Sequence, residues 1–484
     1  MNPTAAREQE TKRDPDTPKD GASRGKIFME TFGCQMNFLD SELIQGNLKE
    51  KGYGTTEDKE EADVILYNTC SVRGHAEQKA LSHLGHLKFL KEKKPEVVIG
   101  VVGCMAQRRG ASLMDKMPHI DLVCGTDHYP DLPGLIEDVR ENRGQKVALE
   151  RTDEVDMDNP PRFRQHRESP FQAYVLAMKG CGCRCTFCVV PATRGKDVSR
   201  HPEEIQEEIR ELAGDGVREV TLLGQNITEY GKNMEGEVNR SGSVFQDPDA
   251  WDHNLESLLH KVHEVPGIDR IRFVTSHPFF ATRGLFQAMA DLPKVMPYLH
   301  IPAQSGSNRM LKKMARGYTY ETYLETCHIA REIVPDLNIA SDFIVGFPGE
   351  TEEDFRKTRE LIAEADIGQS YIFKYSTRPN TPAKDVFEDD VPDEVKQERN
   401  HILLDVQEKV SLRRHMDMIG DTLKVLVEGP SKTDDSRWAG RAPGNDIVVF
   451  PRDGEDLTGQ LVDVDIENAT ALTLFGTRAD TDDE

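Results

Sequence analysis

The sequence predicts an α/β chain in three folded parts: an N-terminal parallel α/β domain, a central partial (βα)6 barrel, and a small all-β barrel at the C-terminal end. Three observations predict it. Apolar runs alternate with helical periodicity over residues 26–148 and again over 169–417. Over 418–480 that periodicity gives way to short β-type runs between Gly-rich turns. At 484 residues the chain is also too long for one compact core.

Residues 27–33, 64–69 and 97–103 read as strands, each ending against a cysteine: Cys34, Cys70 and Cys104. Between them, Leu43, Ile44 and Leu48 mark one helix, stopped near Gly52, and residues 76–93 mark a second. This βαβαβ order implies a parallel sheet, whose strand-end loops gather at one edge. The three cysteines, distant in sequence, are therefore expected to converge as metal ligands. The plainer alternative is three unrelated buried cysteines. Cys124, after residues 120–123, has a similar placement and is a rival or an extra thiol.

The stretch 149–168, with Pro160-Pro161, reads as a linker; its Arg162, Arg164 and Arg167 suit either a solvated surface or a phosphate contact. Strands are expected at 174–178, 219–223, 271–275, 299–301, 339–345 and 371–375, which makes about six βα units, too few for an eight-stranded barrel. Residues 202–213 form an amphipathic helix on Ile205, Ile209 and Leu212, and 232–254 read as a polar loop insertion. In the terminal part, strands are expected at 422–427, 447–450, 461–466 and 471–475.

The run Gly180-Cys-Gly-Cys-Arg-Cys-Thr-Phe-Cys188 contains a C-x3-C-x2-C triplet, Cys181, Cys185 and Cys188. Three thiolates this close can hold three irons of a 4Fe–4S cluster and leave the fourth open, whereas ferredoxin-type runs supply a fourth cysteine. A structural zinc site, a redox dithiol or a disulfide are the competing readings; no second C-x2-C pair or His pair follows to complete a zinc site. Cys183 reads as a bystander, and Cys327, in a helical stretch, as packing.

Nine cysteines without a secretory pattern do not suggest a disulfide framework. Residues 1–25 are polar and charged, read as a disordered tail, and lack the apolar segment of a signal peptide. No run is long enough to span a bilayer, so a cytoplasmic protein with no membrane partner is expected. The net charge of -24, from 61 Lys and Arg against 85 Asp and Glu, argues against a nucleic-acid partner on composition alone. The favoured alternative is an acidic surface, as in halophilic proteins, with a local basic patch. Lys424, Lys432, Arg437 and Arg441 beside Trp438, in the terminal β region, suit RNA phosphates and bases.

Together these features resemble the radical S-adenosylmethionine methylthiotransferase family, over nearly everything after Lys26. The resemblance is carried by Thr31-Phe-Gly-Cys-Gln-Met-Asn37, Asn68-Thr-Cys-Ser-Val-Arg73, Val102-Gly-Cys-Met-Ala-Gln-Arg108, Thr275-Ser-His-Pro278, Gln304-Ser-Gly-Ser307 and Ser341-Asp-Phe-Ile-Val-Gly-Phe-Pro-Gly-Glu350. It implies a radical-SAM core and a TRAM-like RNA-binding barrel. It also implies two 4Fe–4S clusters, on Cys181/Cys185/Cys188 and on Cys34/Cys70/Cys104, with S-adenosylmethionine at the first. Gln225, Asn226, Ser305, Arg316 and Asp342 are the implied S-adenosylmethionine contacts, and Lys424, Arg437, Trp438 and Arg441 the RNA contacts. The implied substrate is isopentenyl-adenosine in a tRNA anticodon stem-loop. An electron donor such as flavodoxin or ferredoxin and an iron–sulfur or sulfur carrier protein would serve it. Relatives acting on threonylcarbamoyl-adenosine or a ribosomal-protein aspartate usually carry another residue pair after the first Gly-Cys, so Gln35-Met36-Asn37 points away from them. A non-catalytic iron–sulfur or RNA-binding protein is the alternative from another class. Gly182, Cys183 and Arg184 depart from the family's usual residues, with ligand spacing preserved, and Thr377-Arg-Pro-Asn380 departs slightly.

Overall fold

A computed structural model describes residues 24–71, 74–151, 167–232, 234 and 253–479. The tail before residue 24, Arg162, Arg164 and most of the expected linker and loop insertion lie outside the described residues. The chain divides into two compact units, to His166 and from Arg167. Among the described residues no helix is long and apolar enough to cross a membrane.

The first unit is built on a six-stranded parallel sheet. Its strands are β1 (Lys26–Phe32), β2 (Gly54–Thr55), β3 (Val64–Thr69), β4 (Val98–Gly103), β5 (Leu122–Cys124) and β6 (Lys146–Ala148), in the order β2-β1-β3-β4-β5-β6. Every residue of β3 and β4 is buried, as expected where helices cover both faces. Alternation divides them. Ile65, Tyr67, Ile99 and Val101 meet Ala80, Leu84 and Leu87 of the Gly74–Lys93 helix. Val64, Leu66, Val98 and Val102 meet Ile44 and Leu48 of the Gln35–Glu50 helix. Burying each such side chain contributes about 1.5–3 kcal/mol.

The second unit begins with six parallel strands and a small two-stranded ribbon. β7 (Gln172–Leu176) is followed by the ribbon strands β8 (Met178–Lys179) and β9 (Val198–Ser199). β10 (Glu219–Leu223), β11 (Arg270–Phe273), β12 (Tyr298–His300), β13 (Asn338–Val345) and β14 (Gln369–Lys374) then follow. β7, β10 and β11 form one ladder and β12, β13 and β14 another. Backbone bonds from Met296 to Ile271 and from Ser276 to His300 carry the curve across the gap. Alternate residues such as Val220, Leu222, Ile271, Phe273, Ile339 and Phe343 face the helices and form the main core. The intervening ones, Glu219, Arg270, Arg272, His300 and Asp342, fall on the concave side. Ile205, Ile209 and Leu212 pack as their spacing predicts. Cys327 is core packing on the Tyr320–Ile333 helix. Asn254 caps the Leu255–His263 helix by accepting from Ser257 N–H. Arg167 is buried and pairs with Asp215 at 3.4 Å, which corrects both readings of it, as solvated surface and as phosphate contact.

A 25-residue helix, Asp393–Asp417, leads into the terminal barrel. Its strands are β15 (Thr422–Pro430), β16 (Arg437–Arg441), β17 (Ile447–Pro451), β18 (Leu461–Ala469) and β19 (Thr473–Arg478), closed in the order β15-β16-β17-β19-β18. The sequence reading missed β16, because its RWAGR stretch carries two arginines and a glycine.

Two buried arginines on β11 join this barrel to the base of the six-stranded curve. Arg270 donates to the carbonyls of Arg441 (2.8 Å) and Lys424 (2.5 Å). Arg272 donates to those of Ala442 (3.1 Å) and Pro443 (3.2 Å). Glu219 faces both, 3.0 Å from Arg272 Nε and 3.9 Å from Arg270. Burial, then the charge of Arg272, pulls Arg270 down to about 10, so it stays protonated at neutral pH. Removing one partner of such a pair strands buried charge. Glu219→Ala is expected to cost about 3–5 kcal/mol, read as a lower midpoint in urea unfolding of the full chain.

Candidate metal centres at the strand ends

The register of the first unit sets one row of cysteines. Phe32 lies opposite Thr69, and Thr69 opposite Gly103. Cys34, Cys70 and Cys104 therefore leave adjacent strands within two residues of the same edge, where neighbouring strands are about 4.8 Å apart. Gly33 shows how close the turns come: at φ +149° an added Cβ would meet the Cys70 Cβ at 2.6 Å. Cys34 is the N-cap of the Gln35–Glu50 helix and Cys104 opens the short Cys104–Arg109 helix. The long helix has an amino terminus that favours negative charge on the sulfur.

A buried polar network holds these turns. Asn37 donates to Asn68 Oδ1 at 2.9 Å, and Asn68 returns a bond to the Asn37 carbonyl at 2.8 Å and to Ser41 Oγ at 3.0 Å. Asn37, Asn68 and Thr69 are fully buried. Arg108 donates to Ser71 Oγ (3.1 Å) and Glu77 (2.5 Å), tying the turn after Cys70 to the helix after Cys104. Cys124 is separate in character. It lies within β5 opposite Val102, in the apolar core on one face, and burial pushes its thiol up.

In the second unit the triplet loop follows β8 at the carboxyl end of β7. Gly180 makes the entry possible. Its φ is +75°, and an added Cβ would stand 1.8 Å from the Lys196 carbonyl. Gly180 N–H donates to Gln225 Oε1 at 2.5 Å, and Cys181 N–H to the Gly195 carbonyl at 3.1 Å. Thr186 is fastened twice, from N–H to the Met314 carbonyl (3.0 Å) and from Oγ1 to the Lys313 carbonyl (2.9 Å). Cys185 is buried, and Cys181 and Cys188 are half-buried. Burial, then the neighbouring Cys185, pushes the Cys188 thiol up to about 11. None of the nine cysteines, all among the described residues, is in a disulfide.

Cys183 turns toward a group that the sequence reading missed. The ligand atoms of Cys181, Cys183 and Glu229 lie within 4.8 Å of one another. Glu229 is buried and accepts from Asn226 at 2.6 Å and Lys232 at 2.5 Å. Only its position just past β10, beside Gln225 and Asn226, could have signalled it.

The structure gathers most of the expected cofactor contacts near this loop. Gln225 touches Gly180, Asn226 lies 3.5 Å from Cys183 Sγ, and Arg316 Nη1 lies 3.2 Å from Cys185 Sγ. Asp342 accepts from His300 Nε2 at 3.1 Å on the concave side of β12 and β13. Ser305 is buried, 3.2 Å from Thr358 Oγ1, and holds its turn on the Glu352–Glu364 helix. Thr275 and Gln304, past β11 and β12, have φ of +70° and +68°. A left-handed β-branched threonine is backbone strain of the kind found at functional sites.

The expected RNA contacts divide. Lys424, Arg437 and Arg441 are exposed or partly so, each facing an acid on the same barrel: Asp463, Asp434 and Glu428. Trp438 is 1% exposed and packs in the barrel core with Val425, Phe450 and Val464. That corrects its expected role as a stacking surface. Alternation along β16 turns it inward between its two arginines.

Both donor sets suit iron–sulfur clusters. Each offers three cysteines at the carboxyl ends of parallel strands, on turns whose backbone is fixed by glycine and buried hydrogen bonds.

Comparison with known proteins agrees. Residues 26–125 match the uncharacterized protein family UPF0004, residues 175–362 the radical SAM superfamily and residues 417–478 the TRAM domain. The tRNA-2-methylthio-N(6)-dimethylallyladenosine synthase of Rhodopirellula baltica is 42% identical, over 93% of this chain and 95% of its own length. The proteins of that name from Akkermansia muciniphila and Bordetella avium are also 42% identical, over 93% and 98% of this chain and 98% and 96% of their own. The chain belongs to the radical S-adenosylmethionine methylthiotransferase family. Among solved structures, the radical S-adenosylmethionine methyltransferase TsrM from Kitasatospora setae superposes with a TM-score of 0.53. The identity is 13%, over 75% of this chain and 77% of that one, a likeness of fold.

Two outcomes are expected. Gly180→Ala should lose the iron bound by the triplet loop, about half the total, in iron analysis of reconstituted protein. Glu350, buried at the end of the motif after β13, accepts from Gly346 N–H (2.7 Å) and Arg399 (2.8 Å). Burial outweighs these partners and pushes its carboxyl up from 4.5 to about 7. The folded state thus holds this proton more tightly than the unfolded chain. Its contribution to stability is full below about 4.5 and is lost as pH rises to about 7. Glu350→Gln should flatten that slope in urea unfolding across the window.

Proposed function

We propose that this chain is a tRNA methylthiotransferase. It adds a methylthio group to the adenine carbon between the two six-ring nitrogens of isopentenyl-adenosine next to the anticodon. The observation that carries the reading is 42% identity along nearly the full length of synthases named for this modification. Two separate cysteine trios at parallel-strand ends support it.

Cys181, Cys185 and Cys188 would hold a 4Fe–4S cluster with one iron left for S-adenosylmethionine, and Cys34, Cys70 and Cys104 would hold the second. When bound, these groups supply the radical chemistry and the sulfur for a C–H bond that no side-chain base deprotonates. The chain's own residues position and exclude. The Gln225 side chain fixes the entry to the triplet loop. Asn226 presents a polar atom near it, Asp342 one on the concave side of β12 and β13, and Arg316 has donors to spare for a carboxylate. Lys424, Arg437 and Arg441 would meet phosphates of the anticodon stem-loop, whose unpaired base is displaced for a few kcal/mol or less.

The domains would run over 26–148, 169–417 and 418–480, after a tail at 1–25 and with a linker at 149–168. A cytoplasmic setting would supply a low-potential electron donor, flavodoxin or ferredoxin, and a sulfur carrier.

Mass spectrometry of tRNA nucleosides from a deletion strain tests the proposal. The methylthio form should vanish and isopentenyl-adenosine accumulate; unchanged tRNA with a lighter ribosomal protein would refute it. Reconstituted protein should hold about eight irons. Alanine at Cys34, Cys70 and Cys104 should leave about four, spare S-adenosylmethionine cleavage and abolish thiolation.

A further inference from the structure

Cys185 shares its surroundings with a buried cation. Arg316 is 6% exposed, and its Nη1 lies 3.2 Å from Cys185 Sγ. The rest of the guanidinium is held in place. Nε donates to Tyr318 Oη at 2.9 Å and Nη2 to the Pro302 carbonyl at 2.9 Å. The Tyr318 hydroxyl in turn lies 2.9 Å from the Ala303 carbonyl. The cysteine side is braced to the same segment, because Thr186, the next residue, bonds to the carbonyls of Lys313 and Met314. The nitrogen and the sulfur are thus fixed from both sides. The adjacent ring of His277, edge-on to Tyr318 at 5.6 Å, is kept neutral by burial and by the Arg316 charge.

We infer that Arg316 sets the reduction potential of the cluster held by Cys181, Cys185 and Cys188. The inference rests on the function proposed above. Adding one electron, with no proton, makes the cluster and its thiolates more negative by one charge. A guanidinium N–H pointed at a ligating sulfur from a water-excluded site stabilises that reduced form and raises the potential. Arg316 is then a tuning residue even when no S-adenosylmethionine is bound. This differs from the carboxylate contact that the sequence suggests.

The experiment uses the full chain with alanine at Cys34, Cys70 and Cys104, so that one cluster reports. It is reconstituted anaerobically and titrated with dithionite and redox dyes, without S-adenosylmethionine, and followed by electron paramagnetic resonance. Arg316→Met should shift the midpoint to more negative potential with about four irons retained. Arg316→Lys and Tyr318→Phe should shift it less in the same direction. Should Arg316→Met lose its iron, those two milder variants decide. An unchanged midpoint in iron-retaining variants overturns the inference, including when S-adenosylmethionine binding alone weakens. Absence of any cluster in the parent protein would instead count against the proposed function.

Discussion

The parallel strand direction is the constraint on which the rest depends. A parallel ladder sends every strand-to-helix turn to one edge and every return to the other. In the first unit the registers of Phe32 with Thr69 and Thr69 with Gly103 place three turns side by side. In the second, β7, β10, β11, β12 and β13 deliver the triplet loop, Gln225, Thr275, Gln304 and the glycine-rich turn after Val345 to one rim. Reactive side chains far apart in the chain become neighbours through strand register, with ion pairs such as Arg108–Glu77 and Arg399–Glu350 bracing the turns.

Much of this was legible in the residues, for identifiable reasons. β3 and β10 match their sequence-expected spans because short β-prone stretches, VILYNT and EVTLL, stand between helical patterns and turn residues. The cysteines announced themselves by type and spacing. What escaped was whatever depends on which side of a strand faces inward. Trp438 looked like an RNA-facing aromatic because arginine and small residues surround it, yet closure of the barrel assigns it to the interior. Arg270 and Arg272 went unmarked, since sequence says nothing of a second domain covering the bottom of the curve. Glu229 was invisible for a similar reason: its meaning comes from Cys183, 46 residues away.

Buried charge recurs in the second unit. Arg316 beside Cys185, Glu229 beside Cys183, Glu350 against Arg399 and the Glu219 group are all nearly inaccessible. Replacing such groups with apolar ones of equal volume is often neutral or stabilising in proteins at large. Their presence therefore asks for a reason beyond stability, and in three of the four cases a cysteine or a motif of the candidate site lies alongside. The chain's 85 Asp and Glu against 61 Lys and Arg set its net charge of -24.

The joint at the base of the curve grips main-chain oxygens. Lys424 and Arg441 each lend a carbonyl to Arg270 while their side chains lie on the barrel exterior. Attachment is therefore indifferent to which amino acid occupies those positions, provided the strands keep their path. Such an arrangement uncouples two evolutionary demands that would otherwise compete for the same sites. Selection can rewrite the outward face for a new nucleic-acid contour while the anchorage beneath it stays as it was.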